Sequence, residues 1–324
     1  MGSSRQLGVI LANTGSPSEP TPEAVRVYLQ EFLMDPRIRP MHSAFWNVLL
    51  KAFILPQRSM TSAEKYASIW TDDGSPLSAH MQSLARKLED LLEGQALVRC
   101  AMSYGIPSMQ DTLEELRADG CEQLVVIPLY PQSAFSTTKV VEDKLRSSLD
   151  ALSFDPQVTF VQDYWHHDEY LDAITTSVRK AGFTERDALL LAFHSIPMKD
   201  VDTGDTYADQ AYKTAIAITT RLNVVPERWR IGFQSRFDNR KWVRPFVKES
   251  LKELDAVLDG DRLFVVSPNF SIDCLETLFD IDISLRQDFL AAHYPEQFIH
   301  VPCLNDSDLH ARILVALIKK SLLY

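Results

Sequence analysis

The stretch Ala188-Leu-Leu-Leu-Ala-Phe193 is an unbroken apolar run, too short for a typical helix, that leads directly into His194, Ser195 and Pro197. Apolar runs of this length bounded by a turn signal read as strands of a parallel sheet, buried on both faces. Such a strand commits the chain to an α/β architecture, because helices must cover both of its faces. In open α/β sheets ligands sit in the crevice at the carboxyl ends of the strands. The run therefore delivers His194 to the place where these folds do their chemistry, although a histidine that merely caps a strand would look the same.

Further runs repeat the pattern. In the first half they fall at 7–12, 97–103, 123–128 and 158–162; in the second half 188–193 is followed by 229–234, 262–267 and 297–301. Helical spacing fills the intervals at 78–92, 109–119, 142–151, 168–180, 244–258 and 307–322, so strands alternate with helices as a parallel sheet requires. The two halves match in order, down to a loop and helix after the second strand and a closing helix after the fourth. Two similar four-stranded lobes are expected, 1–182 and 183–324, with 13–96 as the main insertion and a cleft between them that collects the strand-end loops. A chain of 324 residues also exceeds the roughly 250–300 that one core usually serves.

Within the insertion, Thr21 is a good N-cap, Pro22 suits the first helical position and Glu23 the positive helix end. From 35 to 56 the chain is more apolar than a surface loop should be, with Met41, Phe45, Trp46, Leu49, Leu50, Phe53 and Ile54. It reads either as a core helix or as the apolar lip of a pocket for a large flat ligand or a membrane surface.

Composition removes several classes of function. The net charge of -11 argues against nucleic-acid binding, which rests on clustered Lys and Arg. No apolar run approaches the roughly 20 residues of a membrane span, and the first residues lack a signal-peptide core, so a cytoplasmic protein is expected. Cys100, Cys121, Cys274 and Cys303 form no CxxC pair and are expected as free thiols. No GxGxxG, GxxxxGK, GxSxG or HExxH is present, which leaves nicotinamide, nucleotide-hydrolysing, esterase and zinc-protease chemistry without an anchor.

The strand-end loops are chemically uneven. The first lobe contributes Asn13, Thr14, Ser103, Tyr104, Tyr130, Gln132 and Ser136-Thr-Thr138, with no strong nucleophile and base among them. The second contributes His194, then Gln234-Ser-Arg-Phe237 with Trp242, then 267–277. There Asp273 fits an N-cap and Glu276 the first helical turn, so His194 and Glu276 converge from neighbouring strand ends. A histidine titrates near pH 6.5 and ligates metals, and a carboxylate beside it holds a cation or relays protons. Asp273 with Glu276 is equally the pattern of a structural capping box.

A series of motifs spans essentially the whole chain in order: Leu11-Ala-Asn-Thr-Gly-Ser-Pro17, Gly74-Ser-Pro-Leu77, Met102-Ser-Tyr-Gly105, Pro128-Leu-Tyr-Pro-Gln132, Phe193-His-Ser-Ile-Pro197 with Gly204-Asp205 and Tyr207, Phe233-Gln-Ser-Arg-Phe237 with Trp242, and Asp273-Cys-Leu-Glu-Thr-Leu278 with Pro302-Cys-Leu-Asn305. The series resembles the ferrochelatases, which insert ferrous iron into a porphyrin in haem synthesis. The resemblance implies a chelatase fold of two Rossmann-like lobes with the porphyrin between them. It implies His194 and Glu276 as the catalytic and iron-handling pair, with Asp280 as a relay. It places Thr14, Tyr104, Tyr130, Tyr207, Trp242 and Phe270 at the porphyrin. Iron enters as substrate, with no permanently bound cofactor and no iron–sulfur cluster, since relatives that carry one use a cysteine-bearing C-terminal extension. Porphyrin and ferrous iron are then the partners of a monomer or weak dimer, with peripheral membrane contact open to the lip.

Some positions depart from the family pattern. Thr14 stands where a larger residue is usual, Ser133-Ala134 and Lys139-Val140 alter the loop after Gln132, Asn269 replaces a common glycine, and the carboxylate line Glu276, Asp280 ends at Ser284. These keep three alternatives to protoporphyrin ferrochelatase: the same chemistry on coproporphyrin III, a porphyrin- or haem-binding paralogue without turnover, and a chelatase for another tetrapyrrole or metal.

Overall fold

The structure is a computed structural model that describes residues 6–236 and 238–322. The expectations attached to the first five residues, to Phe237 and to the last two lie outside the described residues.

In chain order the elements are β1 (Gln6–Asn13), α1 (Pro22–Met34), α2 (Ser43–Leu49), α3 (Leu55–Ile69), α4 (Pro76–Leu91), β2 (Ala96–Met102), α5 (Met109–Ala118), β3 (Cys121–Pro128), α6 (Thr138–Leu152), β4 (Gln157–Phe160) and α7 (Asp168–Lys180). The second series is β5 (Ala188–His194), α8 (Met198–Asp202), α9 (Tyr207–Leu222), β6 (Trp229–Gln234), α10 (Val247–Leu258), β7 (Leu263–Val266), a π-helix at Glu276–Leu285 running into α11 (Arg286–Leu290), β8 (Phe298–His300) and α12 (Asp308–Ser321). The strands form two four-stranded parallel sheets with the same order, β2-β1-β3-β4 and β6-β5-β7-β8. All eight strands lie where the strand-like runs predict them, and β5 is the continuous apolar run of a strand covered on both sides.

Two compact units emerge: Met1–Leu129 with Phe135–Gln162 and Leu314–Tyr324, and Tyr130–Ala134 with Asp163–Ile313. This division departs from the expected boundary at 182/183. α7 groups with the second unit, where it packs on α9 and Arg221 of α9 pairs with Asp168 and Asp172. Tyr130 and Gln132 also group there: Gln132 donates to the Thr214 hydroxyl, and the Ser133 backbone N–H to the Gln210 side chain.

In the first unit β1 is the central strand, with Val9, Ile10 and Leu11 fully enclosed. α4 and α5 pack on β2, burying Met81, Leu84, Leu88, Leu113 and Leu116. α1 begins as its sequence dictates: the Thr21 hydroxyl accepts from the Ala24 N–H, and Pro22 occupies the first turn. The 41–56 segment is not a core helix. Trp46, Leu50 and Leu55 turn inward, with the Trp46 indole N–H donating to the Leu33 carbonyl, while Phe45 and Phe53 stay 77% and 72% exposed. The π-turn Leu50–Ile54 joins α2 to α3.

In the second unit Ala188, Leu190 and Ala192 point to one face of β5, where they meet Val247, Leu251, Leu254 and Leu258 of α10 and Ile281 and Leu285 of the π-helix. α10 approaches β6 so closely that a Cβ at Gly232 would lie 2.8 Å from the Val247 Cα. This packing presents the π-helix along the strand-end side of β7.

Candidate functional site

His194 is the last residue of β5, level with Gln234 of β6. The strand cannot continue, because the chain from Ser195 to Met198 docks on the segment after β6. The Ser195 hydroxyl donates to the Val243 carbonyl, the Val243 N–H to the Ile196 carbonyl and the Met198 N–H to the Lys241 carbonyl. That docking bridges Trp242 to Pro197, and the Trp242 indole N–H donates to the Asp238 carboxylate at 3.2 Å. The His194 ring is half-buried, with Nδ1 2.7 Å from the Ser195 carbonyl oxygen. A carbonyl only accepts, so Nδ1 is the donor in this bond.

Tyr207 opens α9 with its backbone N–H on the Asp205 carboxylate, and its ring is buried beside the His194 backbone. Burial, and then the charge of Asp205, pushes the Tyr207 phenol well above its ordinary range, so the hydroxyl stays protonated.

Glu276 stands at the start of the π-helix after β7, the strand adjoining β5. Gln234 connects the two residues: it pairs with His194 across the sheet, and its side-chain amide reaches the Glu276 carbonyl at 3.4 Å. The geometry around Asp273 differs from the expected N-cap and capping box. Asp273 Oδ1 accepts from the Thr277 hydroxyl at 2.8 Å and from the Cys303 N–H, while Oδ2 accepts from the Asn305 amide at 2.7 Å. Its carboxylate therefore ties the helix start to the strand-end loop after β8. The Cys274 thiol donates to Glu276 Oε2 at 3.1 Å. Burial, and then the Glu276 charge, holds that thiol well above the usual range and keeps its proton on sulfur.

Asp280, one turn on, accepts from the Ser235 hydroxyl at 3.2 Å. Glu276, Asp280 and Ser284 lie four apart on a π-helix rather than the expected α-helix. Hydrogen bonding from i to i+5 puts more residues in each turn, so side chains four apart come closer to one line. Ser235 holds φ at +63°, left-handed for a serine, a strain that collects at functional sites.

Thr14 and Tyr104 belong to the first unit, where they are neighbours. The Tyr104 N–H donates to the Thr14 carbonyl, and the Tyr104 ring is buried edge-on against Phe32 with the Lys144 ammonium 4.8 Å from its centroid. Tyr130, Tyr207 and Trp242 are buried in the second unit, and Phe270 is half-buried there. In the altered loop the polar groups are already engaged, Ser133 with Gln210 and Lys139 with Glu142. All four cysteines are free thiols. Sequence reasoning missed the supporting roles of Ser235, Asp238 and Asn305. Ser235 and Asn305 stand inside the motif series, and Asn305 is an asparagine that tolerates its left-handed φ of +49°.

Residues 6–322 match the Ferrochelatase family. The chain is 41% identical to a ferrochelatase of Methylococcus capsulatus, covering 96% of this chain and 95% of that one. It is 40% identical to one from Aromatoleum aromaticum (94% and 85%) and 37% identical to one from Vibrio cholerae (98% and 99%). Among solved structures it superposes on SirB from Bacillus subtilis with Fe3+ at a TM-score of 0.59 and 11% identity, covering 98% of this chain and 95% of that one, a likeness of fold. With a family match over nearly its full length and these relatives behind it, the chain belongs to the ferrochelatase family.

Proposed function

We propose that the protein inserts Fe2+ into protoporphyrin IX to form protohaem, the terminal step of haem biosynthesis, with His194 and Glu276 as the reacting side chains. The observation that carries the reading is His194 at the end of β5, its ring fixed through Nδ1 on the Ser195 carbonyl, on the strand next to the one that leads into Glu276. Two pyrrole N–H protons leave as the two nitrogen–iron bonds that replace them form. His194 Nε2 accepts one proton, and the Glu276 carboxylate guides the ion or accepts the other. Binding energy from the ring periphery bends the macrocycle and exposes its nitrogens. The residues assigned to the porphyrin are Phe270, Tyr130, Tyr207 and Trp242 in the second unit and Thr14 and Tyr104 in the first, while Asp280 hands iron toward Glu276. Iron is substrate here, and no resident cofactor takes part.

Protoporphyrin is favoured over coproporphyrin III because Ser133 and Lys139, the groups an extra carboxylate would seek in the altered loop, are already bonded within the protein. We also propose that the exposed Phe45, Val48 and Phe53 rest on a membrane surface while the protein remains monomeric or weakly dimeric. Among the described residues no helix is long and apolar enough to cross a membrane. The test is anaerobic Fe2+ insertion by the purified protein with each porphyrin in turn. Turnover of protoporphyrin IX, strongly reduced in His194→Ala, is expected. Tight porphyrin binding without turnover of either ring would leave a binding protein instead.

A further inference from the structure

We propose that Cys274 is a positioning residue for iron insertion, its thiol holding Oε2 of Glu276 so that the carboxylate meets the incoming iron or ring proton in one orientation. The inference rests on the reading of Glu276 as a reacting group. A free glutamate rotates about three side-chain bonds, and a reacting carboxylate gains by having that freedom removed beforehand. At Glu276 one oxygen is taken by the Cys274 thiol at 3.1 Å, which leaves Oε1 for chemistry.

Cys274 can serve as an anchor because it is itself fixed. Its backbone N–H donates to the Thr277 hydroxyl at 3.0 Å, and that hydroxyl donates to Asp273 Oδ1. The Asp273 N–H donates to Asn305 Oδ1 at 2.8 Å, and the Asn305 N–H to the Ser271 carbonyl at 2.9 Å. The loop after β8 and the start of the π-helix are thereby locked, and the thiol is where that rigid network touches the carboxylate. A thiol is a weak donor. It orients the carboxylate while leaving it free to bind a cation, where a charge-assisted partner such as arginine would compete with the iron.

The test compares Cys274→Val, which fills similar space without a donor, with Cys274→Ser, which restores a donor without sulfur, alongside Glu276→Gln. Anaerobic kinetics with protoporphyrin IX are read separately for the two substrates, with porphyrin titration and a thermal melt to verify folding. Groups that orient a metal-binding side chain typically contribute about 10–100-fold. Cys274→Val is therefore expected to lower kcat/KM for Fe2+ by about tenfold or more, with porphyrin affinity unchanged and Cys274→Ser close to wild type. A Val variant with wild-type iron kinetics overturns the inference. So does a folded Ser variant as impaired as Val, because the thiol would then act through its sulfur. Should Glu276→Gln remain fully active, the reading of Glu276 itself fails; should it be inactive beside a normal Val variant, only the role of Cys274 falls.

Discussion

His194 donates its Nδ1 proton to the carbonyl oxygen of its own neighbour, Ser195, at 2.7 Å, and the Ser195 hydroxyl is in turn fixed on the Val243 carbonyl. The ring orientation is thus set by the backbone that ends β5. If Nε2 accepts a pyrrole proton, His194→Ala should lower kcat/KM for metal insertion by about 10²–10⁴-fold while porphyrin still binds, as measured by anaerobic kinetics and fluorescence quenching. Near-normal turnover in this variant would remove His194 from the chemistry.

Asp187 is enclosed at the start of β5, where burial opposes its charge. The Arg262 guanidinium and the Thr184 hydroxyl and N–H outweigh that cost and hold its carboxyl below the usual range. A depressed carboxyl stabilises the fold above its unfolded value near 4, and this contribution is lost as pH falls through the lower folded value. Arg262→Ala should cost about 2 kcal/mol at neutral pH, less than a fully enclosed pair because the guanidinium is partly open to water. Urea denaturation at pH 7 and pH 3 checks this, since the difference should shrink at the lower pH.

His310 titrates in the opposite sense to a surface-paired histidine. Burial pushes it from 6.5 down to about 4, and its ring Nδ1 donates to the Asn305 carbonyl. Folding favours the neutral ring, so stability is complete above 6.5 and declines progressively as pH falls toward 4. His310→Gln should flatten the melting temperature between those values relative to wild type. An unchanged slope would show that His310 is not the group responsible.

Gly15 has φ at +101°, and a Cβ there would lie 1.9 Å from the Tyr104 carbonyl oxygen. Gly204 has a similar φ of +106° with open space around it. Gly204→Ala should therefore cost about 1 kcal/mol from backbone strain alone. Gly15→Ala should cost about 3 kcal/mol or more because the loops after β1 and β2 must also separate. Equal costs in chemical denaturation would exclude the steric contribution.

Phe45 and Phe53 project from a segment whose other face, Trp46 and Leu50, is packed inward. Replacing both phenylalanines with serine should leave the melting temperature nearly unchanged and reduce sedimentation with anionic phospholipid vesicles. If the wild type does not sediment at all, the proposed membrane contact is lost.

The central strand 188–193 was legible as a continuous apolar run, which enclosure on both faces demands, and its neighbours as strand-like runs at matching intervals in each half. The caps were legible where they are local, as at Thr21, whose hydroxyl meets an N–H three residues on. Asp273 misled for the opposite reason. It sits three residues before Glu276, as a capping box requires, yet its carboxylate is taken by the Thr277 hydroxyl and by Asn305 and Cys303 from the loop after β8. Sequence spacing cannot register a competitor that distant.

By itself, then, the sequence determined the eight strands, their duplicated order and the place of His194 at the end of β5, all of which follow from local periodicity. Tertiary structure alone decided the π-helical path of 276–285, the grouping of α7 with the second unit, the outward face of the 41–56 segment and the partners of Glu276. Each of these depends on which side chains meet across many residues of chain, and that is settled when the sheets bury their faces rather than by any neighbouring residue.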